Sequence, residues 1–312
     1  MPSVGAEGLS SFAPSAGFLR RRRLLAGLFA ALLWAAAALS VLITLAIVAV
    51  LIGESLPFLE EVGLSAVLLD TVWTPLFAEP RYGIWALVAG TLTTTLIALA
   101  LALPAGLALA LYLCEYAPPR LREAAKPVLE LLAAVPTVVY GYFALLVVTP
   151  LLQGLIPGLP PFNMLAAGLV LGVMILPYAV SLSEDALRAV PRELREAAYA
   201  LGFTRLQTGL GVMLPAARSG IVSAFLLALA RAMGETMVVT LAAGQNPRFT
   251  FNPLEGAATM TAYIVQVSFG DVPYGSRAYR SLFVVALGLF LCTFAVNLLA
   301  TLLSRKRSHR GA

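Results

Sequence analysis

Arg231 and Glu235 stand inside an otherwise apolar stretch running from Gly220 to about Ala243. A charge at the centre of such a stretch sits about 17 Å of helix from either end, too far for an arginine to reach the interface. Placing it there costs about 2.5–3.5 kcal/mol on insertion scales. Four residues apart on one helix, the two side chains can touch. Apolar residues would be cheaper than a buried ion pair, so neutralisation alone is a poor reason to keep both. The spacing predicts a pair facing a bundle interior or a water-lined path. Ala228, Ala230, Ala232 and Gly234 are small and allow close helix packing around it. Thr236 and Thr240 follow the pair, and Thr137 and Tyr140 flank Pro136 further up the chain. These are weaker candidates for the same path, as is the run Thr93–Thr95. A threonine in a span ordinarily bonds its own helix backbone.

The elements that would hold these residues follow from composition. Of 312 residues, 60% are hydrophobic and 12% charged, about half the charged share of a soluble domain. The chain is therefore expected to be an all-α polytopic membrane protein with six transmembrane helices. The apolar runs lie at about 24–52, 84–113, 128–151, 163–182, 220–243 and 279–303. The first follows Arg20–Arg23 and is about twice the length of a signal-peptide core, so it reads as an uncleaved helix. Residues 1–19, rich in Ser, Gly, Ala and Pro, read as a disordered tail. The membrane-spanning body then covers 20–304, and 305–312 form a basic tail. Pro104, Pro136 and Pro177 are expected to kink their spans.

Charge sets the orientation. If the N-terminus is cytoplasmic, sixteen of the 21 basic residues fall on inside segments and four, Arg81, Arg248, Arg277 and Arg280, fall outside. That asymmetry predicts both termini inside. The net charge of +5 thus reflects membrane topology and not nucleic-acid binding. Outside, residues 53–83 hold a short amphipathic stretch, with Trp73, Tyr82 and Trp85 expected in an interfacial aromatic belt. Residues 253–270 are too short to span and suit a re-entrant or surface-lying helix.

The inside loop 183–219 has helical spacing, with Leu187, Val190, Leu194, Ala198 and Leu201 expected on one face. Glu184 and Asp185 are expected in the anionic first turn of its helix. Within it, Glu196-Ala197-Ala198 is followed after three residues by Gly202, and after nine more by Val212-Met213-Leu214-Pro215. Two alanines let a partner backbone approach. Gly202 permits a sharp turn, and Pro215 suits the first turn of the next span. Another Glu-Ala-Ala at 123–125 has Leu129 where the glycine should be, and reads as a chance match. The loop at 196 resembles the EAA loop of importer-type ABC permeases, departing only in Val212 for Ile. That resemblance implies an ATPase contact at Glu196, Ala197, Ala198, Gly202, Leu214 and Pro215.

The resemblance extends along nearly the whole chain from about residue 20. YLCEYAPPRLREAAKPVLELLAAVPTVVYGYFAL (112–145), LAAGLVLGVMILPYAVSLSEDALRAVPRELREAAYALG (165–202) and ALARAMGETMVVTLAAG (228–244) look like the PstC-type permease subunit of the phosphate-specific ABC importer. The family implies the importer-type ABC permease fold in a bacterial cytoplasmic (inner) membrane. It also implies a homologous PstA-type permease partner, a dimer of ATP-binding subunits and a periplasmic phosphate-binding protein. Arg231 would offer a forked donor to phosphate. Glu235 would hold Arg231 or accept a hydrogen bond from a proton-bearing phosphate hydroxyl, which sulfate lacks. A permease for another oxyanion, such as sulfate or molybdate, is the alternative.

ATP and magnesium would belong to the partner, and no cofactor is expected on this chain. Neither lysine fits a phosphate-binding P-loop, since Lys126 precedes Pro127 and Lys306 precedes Arg307. An intramembrane enzyme would need a histidine base or clustered aspartates. The only histidine is His309, and no aspartate lies in a predicted span. Cys114 and Cys292 are far apart and imply neither a disulfide framework nor a metal site.

Overall fold

A computed structural model describes residues 16–308 of the chain. Among these residues, six helical stretches are long and apolar enough to cross a membrane. The chain divides into two compact units, ending and beginning at Gly53 and Glu54. Helix α1 (Ala16–Val62) provides the first unit and the opening of the second. In the first unit its apolar side chains are exposed all round, Trp34 among them. That is the pattern of a helix whose solvent is lipid. The helix already includes residues 16–19, so this part of the expected disordered tail is ordered. Residues 1–15 and His309 lie outside the described residues.

The second unit contains the remaining elements: α2 (Leu64–Leu69), α3 (Trp85–Glu115), α4 (Pro119–Ala134), α5 (Thr137–Phe143), α6 (Thr149–Leu155), α7 (Met164–Arg188), α8 (Arg192–Ala200), α9 (Arg205–Thr208), α10 (Leu214–Met233), α11 (Met237–Ala242), α12 (Met260–Phe269) and α13 (Arg277–Ser308). Its centre is the pairing of α3 with α7, against which α10 also packs. Close approach is possible because α7 carries glycine at the contact. A Cβ on Gly172 would stand 2.8 Å from the Ala98 carbonyl oxygen of α3. Backbones this near gain dispersion contacts that replace the missing hydrophobic driving force in lipid.

Several predicted boundaries move. The third span does not start at 128. Val135, restricted to extended backbone by the proline after it, separates α4 from α5. The spanning helix is therefore 137–155, carried through a π-helical turn at Ala144–Val148. Helix α4 has an amphipathic pattern and buries none of its residues within this chain. Helix α7 runs six residues past the predicted end of the fourth span, so Glu184 and Asp185 stand near its C-terminal end and not in a first turn. The fifth span breaks at Gly234–Thr236. Helix α13 continues through Ser308, so 305–308 extend the last helix instead of forming a separate tail.

Helix α12 matches the expected short non-spanning helix. Trp73 and Tyr82, expected at a lipid interface, are instead buried. They pack edge-on with Phe58 and Tyr263 in a core cluster. Trp85 stays exposed, its indole N–H bound to the Leu68 carbonyl at 2.6 Å.

Candidate functional site

Two regions collect the candidate residues. The first is the turn between α8 and α10. Pro191 starts α8, and the acidic Glu193 lies in its first turn, where the helix dipole favours it. The helix ends into Gly202 at φ +82°, a conformation costly for any side chain with a Cβ. A capping box then restarts the chain: the Thr204 hydroxyl accepts from the Gln207 amide, and the Gln207 side chain accepts from the Thr204 amide. From Arg205 the helix continues to Met233. Pro215 lies in the first turn of α10, as expected. It sits two residues past the end of a π-helical turn at Gly209–Met213. That wider turn accommodates a residue without an N–H.

Glu196 and Ala197 are exposed, and Ala198 is buried. Leu187 and Val190 are also buried, whereas Leu194 and Leu201 face outward. The single face expected over 187–201 is divided because α7 and α8 are separate helices. An exposed apolar Leu201 beside an exposed Glu196-Ala197 forms a surface suited to a partner.

Buried carboxylates fasten this turn to the bundle. Glu115 ends α3 and lies 3.3 Å from Arg195 of α8. It also accepts the Tyr199 hydroxyl at 2.6 Å, which raises the Tyr199 pKa above the ordinary phenol value. Glu184 of α7 pairs with Arg188 and, at 3.3 Å, with Arg122 of α4. Local pattern does not mark Glu115, whose partners come roughly 80 or more residues later, whereas Glu184 has Arg188 one helical turn on. For Glu115 the sequence signal is only that it ends an apolar run.

The second region surrounds Arg231. A cleft of about 330 Å³ opens between α4 and α7, with Arg231 of α10 in its wall. Lys126 and Glu130 line it from α4, and Tyr178, Glu184 and Asp185 from α7. The Arg231 guanidinium lies over the Tyr178 ring, 5.5 Å from its centroid. Arg231 also occupies the last turn of α10, where the helix dipole favours a cation.

The predicted Arg231–Glu235 pair does not form. The helix that should have brought them together ends at Met233, with Gly234 as its cap. The Glu235 carboxylate instead accepts from the Met237 and Val238 amides at 3.1 and 3.4 Å, starting α11. Thr236 bonds the Gly234 carbonyl, and Thr240 bonds the Thr236 carbonyl. Tyr140 donates to Leu132 across the α4–α5 break at 2.8 Å. Thr137 opens α5 at the same break. Of the six candidate pathway residues, Arg231 lines the cleft and the other five do not. Tyr178 and Lys126 were missed, since nothing local connects them to Arg231.

Residues 102–309 match the family described as binding-protein-dependent transport system inner membrane component. The chain is 36% identical over 75% of its length, and 76% of the relative's, to a probable ABC transporter permease protein, YqgH, of Bacillus subtilis. It is 34% identical to the phosphate transport system permease protein PstC of Xylella fastidiosa, covering 77% of this chain and 79% of that one. The PstC of Mesorhizobium japonicum is 34% identical, with 89% and 90% covered.

Solved structures share the fold. One is a bacterial alginate ABC transporter in complex with an alginate pentasaccharide-bound periplasmic protein, at TM-score 0.58 and 19% identity, covering 92% of this chain and 95% of that one. Another is the inward-facing MetNI methionine ABC transporter, at TM-score 0.52 and 20% identity, covering 71% and 94%. With a family match over two thirds of its length and such identity to relatives along most of theirs, the chain belongs to the binding-protein-dependent transport system inner membrane component family, and within it to the PstC-type permeases.

Proposed function

We propose that the chain is the membrane-spanning permease subunit of an ATP-driven phosphate importer. The observation that carries the reading is Arg231 in the wall of the α4–α7 cleft of a chain that belongs to the PstC-type permeases. A guanidinium offers a planar fork of donors that suits a tetrahedral oxyanion better than a neutral solute. The carboxylates of Glu130 and Asp185 in the same cleft can accept a hydrogen bond from a protonated phosphate. Sulfate, with no proton near neutral pH, has none to give.

On this reading a homologous PstA-type permease covers the exposed faces of the bundle. A dimer of ATP-binding subunits docks on Glu196, Ala197 and the Gly202 turn. ATP and magnesium are handled by that partner, and this chain binds no cofactor. A periplasmic phosphate-binding protein delivers substrate at the opposite face, in a bacterial cytoplasmic (inner) membrane.

The decisive experiment compares Arg231→Gln with wild type in vesicles holding the assembled complex. ATP-dependent phosphate uptake is measured with sulfate and molybdate as competitors. A charge-assisted hydrogen bond contributes about 1.5–3 kcal/mol, so uptake should fall about 10- to 100-fold. Undiminished uptake by the variant, or equal competition by sulfate, would contradict the proposal.

A further inference from the structure

Glu115 is a carboxylate in a place where helix stability alone disfavours one. The C-terminal end of a helix carries partial negative charge on its free carbonyls, and cations are the side chains it stabilises. Glu115 nevertheless ends α3 with its side chain only 6% exposed. Everything that compensates it comes from the turn after α7. Arg195 lies 3.3 Å from one carboxylate oxygen, and Tyr199 donates to the other at 2.6 Å. Arg205, opening α9, donates to the Glu115 backbone carbonyl at 3.4 Å. Arg195 also donates to the Leu187 carbonyl of α7 at 2.8 Å.

These contacts have a definite arrangement on α8. Arg195 and Tyr199 are four residues apart and share a face. They bracket Glu196-Ala197-Ala198, of which Glu196 and Ala197 point outward. One side of α8 thus grips α3, and the other is free for a partner. Arg205 holds the same residue from beyond the Gly202 turn, so both arms of the turn meet at the end of α3. In turn α3 is packed on α7, which carries Tyr178 beneath Arg231.

We propose that Glu115 is a positioning residue for energy coupling, whose clasp with Arg195 and Tyr199 transmits displacement of α8 to α3 and, through its packing on α7, to one wall of the cleft. The inference rests on the reading of the chain as ATP-coupled.

The test reconstitutes the complete transporter, with its binding protein, in proteoliposomes. ATP hydrolysis and phosphate uptake are measured on the same preparations of wild type, Glu115→Gln and Tyr199→Phe. The first variant keeps an acceptor for Tyr199 but removes the charge; the second removes a single hydroxyl and spares the fold. Phosphate moved per ATP hydrolysed should fall at least about fivefold in both, the lower end of ordinary coupling between sites. A wild-type ratio in both variants overturns the inference. So does a parallel loss of hydrolysis and uptake, which marks a clasp that only stabilises. A wild-type assembly that hydrolyses ATP but moves no phosphate overturns the substrate reading and the inference together, whereas a working wild type with unchanged variant ratios overturns the inference alone.

Discussion

At the scale of single residues, the interaction that holds Arg231 is with an aromatic ring. Cation–π contacts contribute about 0.5–1 kcal/mol at exposed sites and about 2 kcal/mol when desolvated. Removing the Tyr178 ring should therefore weaken apparent phosphate affinity by about 2- to 30-fold. Tyr178→Leu is expected to raise the KM of uptake within that range, and Tyr178→Phe, which keeps the ring face, should stay close to wild type. If Phe and Leu behave alike, the ring face is not what orients the guanidinium. Arg231 itself was legible in the sequence, because a charge surrounded by apolar residues has few cheap explanations. Its partner was not. The four-residue rule that paired it with Glu235 holds only on an unbroken helix, and the chain breaks at Gly234. Glu235 then takes the local partners nearest it, the free amides that open α11.

At the scale of elements, the breaks decide what reaches the site. Hydropathy found six spans because each is long and apolar, but it averages across short interruptions. The interruption at Val135–Pro136 turned one expected span into the amphipathic α4 and a separate crossing helix. That separation is what leaves room for a cleft between α4 and α7. Trp73 and Tyr82 were misread for a related reason. Composition marks an aromatic as interfacial, but only long-range packing against Phe58 and Tyr263 decides that it is core. The turn at Gly202 was readable, since motif spacing and backbone need coincide there. A Cβ at Gly202 would meet nothing within 4 Å, so substitution is penalised by backbone conformation alone. Gly202→Ala should lower the thermal stability of the purified complex by about 1–2 kcal/mol, and Gly202→Asn by less, because asparagine enters this region more readily. Equal melting of all three proteins would show that the turn relaxes to negative φ without loss.

For the whole molecule the prediction concerns direction: which end of the α3–α7 pair faces the cytoplasm. Basic residues argue for the turn at 192–208 being cytoplasmic, since inside segments carry four times as many Lys and Arg as outside ones. The fold is compatible with that sense, because the Gly202 turn and helix α12 are separated by the length of α10, about 30 Å at 1.5 Å per residue. Two exposed positions can report it. Glu193 lies on α8 and Ser268 on α12, and both are exposed. With Cys114 and Cys292 replaced by alanine, Ser268→Cys should react in intact cells with a thiol reagent that cannot cross the membrane. Glu193→Cys should react only after the membrane is opened. The proposed coupling requires the same orientation, since an ATP-binding partner would have to reach the exposed face of α8 from the cytoplasmic side. Reaction at position 193 in intact cells would place the turn outside, where no ATPase could reach it, and would undo both the coupling role of the turn and the clasp at Glu115.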